Sequence, residues 1–126
     1  MATLTYEELQ LGLDMHCGST VYYKANPFSN IVITDGVKYF CDKCSCYWLI
    51  DEAIIYALRE LGKKYNFLIV EFKVTNKRGT TYIEVREDSN TELLFKRRTK
   101  DLCKEIPIGE YKFYLIDNVM LLPSEY

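Results

Sequence analysis

The residues best suited to chemistry in this chain are closely spaced cysteines. Cys41, Cys44 and Cys46 form a C-x-x-C-x-C pattern, and His16 and Cys17 precede it. Thiolates and imidazole are ligands of tetrahedral Zn²⁺, so these residues form a candidate zinc site. The three cysteines are crowded, however, and Cys17 adjoins His16, so simultaneous ligation is awkward. We therefore favour the alternative that the three cysteines are reduced, metal-free packing residues.

A catalytic interpretation rests on the same thiols, on His16 and on Asp51. A Cys–His nucleophile needs the imidazole within hydrogen-bond reach of the thiol and a third group that orients it. Asp51 lies on the apolar face of a predicted helix, where burial would raise its pKa, although stabilisation by the helix N-terminus explains it equally simply. No phosphate loop, dinucleotide fingerprint or HExxH motif is present. A Cys/His-dependent enzyme or a zinc-binding regulator is therefore the alternative function, and we predict no cofactor.

One basic segment stands out in a chain whose formal net charge is −2. Its cations are Lys96, Arg97, Arg98, Lys100 and Lys104. Such a run can contact nucleic-acid phosphates, or it can be a solvated strand end and loop. The negative overall charge argues against a grip on nucleic acid by the whole protein. Stacking on bases would need aromatic side chains, and the segment offers only Phe95, which precedes Lys96.

The strand before this segment adds two residues to a candidate contact surface. Alternation in the sequence TTYIEVRED directs Ile83 and Val85 to the core and Tyr82 and Arg86 to water. Tyr and Arg concentrate binding energy at interfaces. We therefore predict binding without turnover, through Tyr82, Arg86 and the basic segment. The predicted partner is a protein or a ribonucleoprotein, whose RNA the basic segment could contact.

The elements that must position these residues begin with about three helices in the N-terminal half. Thr5 and Glu8 have the spacing of a capping box at the start of the first helix. Thr34 or Asp35 can cap the second helix. The third predicted helix runs from Tyr47 to Gly62 and has the most regular apolar face. The residues on that face are Trp48, Ile54, Ile55, Leu58 and Leu61.

From Phe67 onward the period changes to two, which is typical of strands. We predict a three-stranded meander from Phe67 to Arg98, with a hairpin loop ending at Gly79. Another strand, YKFYLI, and a short apolar segment, VMLLP, follow, and Ile31–Ile33 could form one further short strand. The predicted fold is α+β, with about three helices packed on an antiparallel sheet of four to five strands. In the predicted core Trp48, Ile54, Ile55 and Leu58 contact Leu68, Val70, Phe72, Ile83 and Val85.

Length and composition bound the remaining possibilities. A chain of 126 residues is predicted to be one domain, residues 1–126. The start MATLTYEELQ does not resemble a signal peptide, and no apolar stretch approaches the roughly 20 residues that span a bilayer. We therefore expect a cytoplasmic protein that has free thiols and no membrane contact. The sequence makes no prediction of the oligomeric state.

Three sequence pieces resemble a protein family of unknown function that is found in bacteria and in phages or other mobile elements. They are TDGVKY at 34–39, YWLID at 47–51 and LLPSEY at 121–126, and the resemblance covers about residues 20–126 in order. It implies a small α+β protein and supplies no catalytic residues. Related sequences tend to carry Ala or Gly where this chain has Cys41, Cys44 and Cys46, which favours packing over zinc.

The resemblance to a family found in mobile elements suggests which kind of binding protein this is. We expect an inhibitor, encoded by a phage or another mobile element, that blocks a component of a host defence system. A CRISPR–Cas effector is one such component. In that case the protein would act in the cytoplasm of the host bacterium.

Overall fold

The computed structural model describes residues 5–15, 22–24, 29–88, 91–99 and 105–126. The helices are α1 (Tyr6–Asp14), α2 (Asp35–Cys44), α3 (Tyr47–Ala53) and α4 (Arg59–Lys64), with a π-helical turn, Ile54–Leu58, between α3 and α4. The strands are β1 (Tyr22–Lys24), β2 (Val32–Thr34), β3 (Phe67–Val74), β4 (Thr81–Arg86), β5 (Leu93–Arg98), β6 (Gly109–Ile116) and β7 (Val119–Leu121), and a 3₁₀ turn, Pro123–Glu125, follows.

The strands form one seven-stranded sheet in the order β1-β2-β7-β6-β3-β4-β5. Neighbouring strands are antiparallel except β2 and β7, which are parallel. The α+β class and the meander from β3 to β5 are confirmed. The prediction of four to five antiparallel strands was wrong in number, and it missed the parallel pair. Strand β1 has only three residues, too few for alternation to reveal it, whereas β2 overlaps the predicted short strand Ile31–Ile33 and joins the sheet by pairing with the distant strand β7.

The strand register divides the sheet into a covered face and an open face. Phe72 lies opposite Ile83 on one side and Tyr111 on the other, so these side chains share a face. Phe40 of α2 packs over this face, with its ring centroid 5.3 Å from that of Tyr111 and 5.1 Å from that of Phe113. The helices bury this covered face in one hydrophobic core. We call the opposite side the open face.

Packing of α3 onto the covered face agrees with the predicted core in part. The predicted sheet residues are all buried, and so are Ile54 and Leu58. The prediction for Ile55 was wrong, because 46% of this residue is exposed, and Trp48 is only partly buried against the core. In the π-helical turn the N–H of Arg59 bonds to the carbonyl of Ile54. This wider turn shifts the side chains away from the 3.6-residue period that the sequence pattern assumes.

Threonine side chains cap the first two helices: Thr5 was the predicted cap of α1, and Thr34 was one of the two predicted alternatives for α2. Thr5 Oγ1 accepts the N–H of Glu8 at 3.1 Å, and Thr34 Oγ1 accepts the N–H of Val37 at 3.4 Å. The same Thr34 hydroxyl donates to Glu125 Oε1 at 2.6 Å. Each helix therefore has one of its free N–H groups satisfied by a side chain.

Glu125 ties the C-terminal turn to the start of α2. Its carboxylate accepts the N–H of Gly36 at 3.2 Å and the N–H of Leu122 at 2.9 Å, besides the Thr34 hydroxyl. A Cβ on Gly36 would lie 2.5 Å from Leu122 Cδ1, so only glycine allows this approach. The pieces TDGVKY and LLPSEY, which lie at opposite ends of the chain, thus form one structural contact.

Replacing Glu125 by alanine should lower the free energy of unfolding by about 1–3 kcal/mol, because hydrogen bonds to a charged group are lost at a helix start. Urea denaturation measures the change. Glu92→Ala, at an exposed position before β5, is the matched control and should leave stability nearly unchanged. Equal stability of the Glu125→Ala variant and the control would show that this contact does not hold the C-terminal turn.

Within the part of the chain that the structure describes, none of the helices is long and apolar enough to cross a membrane.

Candidate binding surface on the open sheet face

Strand β5 divides the predicted basic cluster between the two faces of the sheet. Lys96 lies opposite Glu84 and Arg98 opposite Tyr82, so these two cations lie on the open face. Arg97 lies opposite Ile83 and therefore on the covered face. Lys96, Arg97 and Arg98 are consecutive in the sequence, but they lie on two different faces of the sheet. Lys100 and Lys104 lie outside the described residues.

Arg97 packs against the helical layer. Its guanidinium carbon lies 3.6 Å from the centroid of the Tyr56 ring, and its Nε lies 3.8 Å from Glu52 Oε2. Both atoms of this pair are buried and have no hydrogen-bond partner in the described part of the chain. Stacking on an aromatic ring suits the planar guanidinium. In this position Arg97 joins β5 to the helical layer.

Glu84 is the centre of an ion-pair network on the open face. Its carboxylate lies 3.0 Å from Lys73 Nζ, 3.2 Å from Arg86 Nη2 and 3.8 Å from Lys96 Nζ. These neighbours leave only 6% of Glu84 exposed. A carboxylate is tolerated at this burial because it is paired on several sides. The hydrogen bond to Glu84 also raises the pKa of Lys73.

Tyr82 and Arg86 take different parts in this surface. Arg86 Nε lies 3.5 Å from Glu71 Oε1, and with its contact to Glu84 the guanidinium is largely neutralised. Tyr82 lies between Lys73 and Arg98 in the register, and Lys96 Nζ lies 5.3 Å from its ring centroid. The half-buried Tyr82 and the exposed Lys96 and Arg98 therefore form an aromatic and cationic strip at the β5 edge.

An aromatic cluster lies on the same face toward β7. The ring centroid of Phe67 lies 5.0 Å from that of Tyr114 and 6.0 Å from that of Tyr126, and the Tyr114–Tyr126 distance is 5.5 Å. Tyr126 is 75% exposed. The sequence analysis missed this cluster. Alternation in YKFYLI does direct Tyr114 away from the core, but only the register of β3 with β6 places it beside Phe67.

Strands β3 to β6 give the open face more cations than carboxylates. The cations are Lys73, Arg86, Lys96, Arg98 and Lys112, and the carboxylates are Glu71, Glu84 and Glu110. The chain as a whole has a formal net charge of −2. The open face therefore combines exposed aromatic rings with a positive local charge. This arrangement can bind a partner.

The cysteine pattern lies in the core. Cys41, Cys44 and Cys46 are free thiols with at most 2% of their surface exposed. The Cys46 thiol donates to the Phe40 carbonyl at 3.9 Å, and hydrogen bonding with Cys41 and Cys44, together with burial, raises its pKa. His16 and Cys17 lie outside the described residues. Among the residues that are described, no three His, Cys, Asp or Glu side chains group as metal ligands would.

The buried thiols should resist alkylation in the folded protein. Iodoacetamide reacts with exposed thiolates, and burial denies the reagent access to these three side chains. We expect Cys41, Cys44 and Cys46 to stay unlabelled in native buffer and to be labelled in urea, as peptide mass spectrometry reports for each cysteine. If any of the three cysteines in the folded protein were labelled as fast as a small free thiol, that result would contradict their assignment to the core.

Comparison with known proteins adds a family and no activity. A sequence model described as a family of unknown function, DUF6876, matches residues 7–126. No curated protein and no solved structure matches the chain.

Proposed function

We propose, from the premise that the chain belongs to the DUF6876 family of unknown function, that it acts as a non-catalytic binding protein through its open sheet face. The observation that supports this proposal most strongly is that an aromatic cluster, in which Tyr126 is exposed, and a cationic strip lie on the same open face of the sheet. Large exposed patches of this composition are typical of interaction sites.

The two parts of the open face supply different contributions to binding. Phe67, Tyr114 and Tyr126 offer rigid aromatic area, which loses little conformational entropy when a partner covers it. Lys96 and Arg98 offer cations that pair with carboxylates and steer a partner's approach. A partner that spans both regions would match apolar surface to the cluster and acidic side chains to the strip.

The proposed partner is a protein, or the protein part of a nucleoprotein, that presents carboxylates. The rings of the aromatic cluster pack against one another in tilted and edge-on orientations, and Glu84 and Glu71 interrupt the cations of the face. A mixed surface of this kind suits a protein partner better than the phosphate backbone of RNA, which favours unbroken positive charge. From the resemblance to mobile-element proteins, we propose a host defence component, such as a CRISPR–Cas effector, as the target.

The second candidate function is a Cys/His-dependent enzyme. A nucleophilic thiol must reach its substrate as a thiolate. The burial of Cys41, Cys44 and Cys46 opposes access by a substrate, and hydrogen bonding and burial raise the pKa of Cys46, although the hydrogen bond with Cys46 lowers the pKa of Cys44. These observations favour the binding protein.

Charge reversal on the open face tests the proposal. The variant Lys96→Glu/Arg98→Glu changes the cationic strip, and Lys43→Glu/Lys64→Glu makes the same charge change at exposed positions of α2 and α4. Each is used as bait for host-cell lysate with and without ribonuclease, and recovered proteins are quantified by mass spectrometry. We expect a partner that the wild type and the helix variant recover equally and that the strip variant recovers about tenfold less, a loss of about 1.4 kcal/mol.

Two results would contradict the proposal. Equal recovery by both variants would place the contact away from the open face. Loss of the partner on ribonuclease treatment, with RNA bound directly by the wild-type protein, would make RNA the ligand.

Binding through the strip should also weaken with salt, since the screening length falls from about 10 Å at 0.1 M to about 3 Å at 1 M.

A further inference from the structure

A second charged feature lies at the other edge of the sheet, away from β5. An open cleft of about 380 Å³ is lined by Lys24 of β1, the segment Ser29–Ile31 before β2, Arg59 and Lys63 of α4, and Asn118 of the turn between β6 and β7. This volume is in the range of small-molecule sites. We propose that the cleft binds a small phosphate ester.

The charge of the cleft indicates an anion. Among the residues that the structure describes, Lys24, Arg59 and Lys63 line the cleft and no carboxylate does. Arg59 and Lys63 are one helical turn apart on α4, where like charges destabilise each other. The helix dipole favours a cation such as Lys63 in the last turn, but it does not account for Lys24, which belongs to β1. A bound anion would neutralise all three.

Salt bridges among the described residues do not prevent these three cations from binding a ligand. Among the described residues, neither Lys24 nor Arg59 lies in a salt bridge. Lys63 Nζ lies 3.7 Å from Glu60 Oε1, in a pair whose side chains are about 70% exposed. Such a surface pair contributes little, so a ligand can displace it.

Neutral hydrogen-bonding groups complete the lining, and the backbone holds them in place. Asn118 has a left-handed φ of 67°, and its carbonyl accepts the N–H of Val32 at 2.9 Å. A Cβ on Gly62 would lie 3.3 Å from Asn118 Oδ1, so the amide lies close against α4. Ser29 Oγ accepts the N–H of Ile31 at 3.2 Å, which leaves the hydroxyl hydrogen to donate.

The donor set identifies the ligand class. Arginine presents a planar fork of N–H donors that matches phosphate oxygens, and lysine adds a compact charge. Amide and hydroxyl donors bind further phosphate oxygens. The cleft is larger than a phosphate group alone, which leaves room for the rest of a small ester such as a mononucleotide.

Ligand titrations followed by amide NMR test this site. The probes are inorganic phosphate, adenosine 5′-monophosphate and adenosine, and the reporters are the amides of Gly62 and Asn118. We expect both phosphate-containing probes to bind saturably and adenosine not to bind. Arg59→Ala should weaken nucleotide binding about tenfold, as expected for loss of a charge-assisted hydrogen bond. Lys64→Ala, outside the cleft on the same helix, should leave it unchanged.

Several outcomes would overturn the proposal. No saturable response to either anion would remove the site, and equal weakening by Arg59→Ala and Lys64→Ala would reduce it to general surface attraction. Equal binding of adenosine would show that the phosphate is not recognised. An oligothymidylate that binds more tightly than the mononucleotide would assign the cleft to nucleic acid instead of a small ester. Because the cleft and the open face share no residues, failure of either proposal leaves the other standing.

Discussion

Replacing Phe40 by alanine is expected to lower the free energy of unfolding by about 3–5 kcal/mol, the largest effect of any single substitution that we predict. Phe40 is fully buried, and its ring contacts the rings of Phe72, Tyr111 and Phe113 at the centre of the covered face. Truncation removes buried apolar surface and leaves a cavity that a helix and a sheet cannot easily close. Urea denaturation measures the loss.

Phe67→Ala is the matched control for this substitution. Phe67 lies on the open face and is only partly buried, so the same truncation should cost about 1 kcal/mol. Equal losses for the two variants would contradict the assignment of the covered face as the core. If Phe40→Ala does not fold, Phe40→Leu should fold with a smaller loss of stability and preserve the ranking.

The second large effect is expected for Glu84→Gln. This substitution keeps the shape of the side chain but leaves Lys73, Arg86 and Lys96 around a neutral amide. Removing one partner of a buried pair costs about 3–5 kcal/mol, and partial exposure of the lysines reduces our expectation to about 2 kcal/mol. Glu87→Gln, at the exposed position after β4, is the control and should have almost no effect.

The pH dependence of this effect has a definite sign. The hydrogen bond that Lys73 donates to Glu84 raises the pKa of Lys73 above its ordinary value of 10.5. The stabilisation is therefore fully present below pH 10.5 and is lost as pH rises through the higher pKa of the folded state. We expect the stability difference between the wild type and Glu84→Gln to shrink above pH 10.5 in urea denaturation at increasing pH. A difference that is small at neutral pH, or that grows in alkali, would contradict the network.

Local patterns allowed much of the fold to be predicted. The meander from β3 to β5 follows from alternation and from Gly79, whose φ of 83° the hairpin requires. The helix starts follow from Thr5 and Thr34. The strand count and the parallel pair did not follow, because β1 is too short for alternation to reveal and because β2 pairs with β7, a distant segment of the chain. Ile55 was misplaced because a π-helical turn is not visible in a hydrophobic pattern.

The candidate site was predicted less completely, and for a similar reason. Adjacent residues of a strand point to opposite faces. The basic run therefore divides, with Arg97 stacked on Tyr56 while Lys96 and Arg98 remain on the open face. The aromatic cluster depends on which strands are neighbours, and the sequence does not contain that information in any local segment.

The most direct test of the central claim is a calorimetric titration of the recovered, purified partner with this protein. We expect the partner to be saturated at a fixed molar ratio. The variant Lys96→Glu/Arg98→Glu should bind the partner about tenfold more weakly, and Lys43→Glu/Lys64→Glu should bind it with the affinity of the wild type. Inactivation of the partner at far below one equivalent would indicate turnover. That result, or equal affinity of the wild type and the strip variant, would contradict stoichiometric binding through the open face.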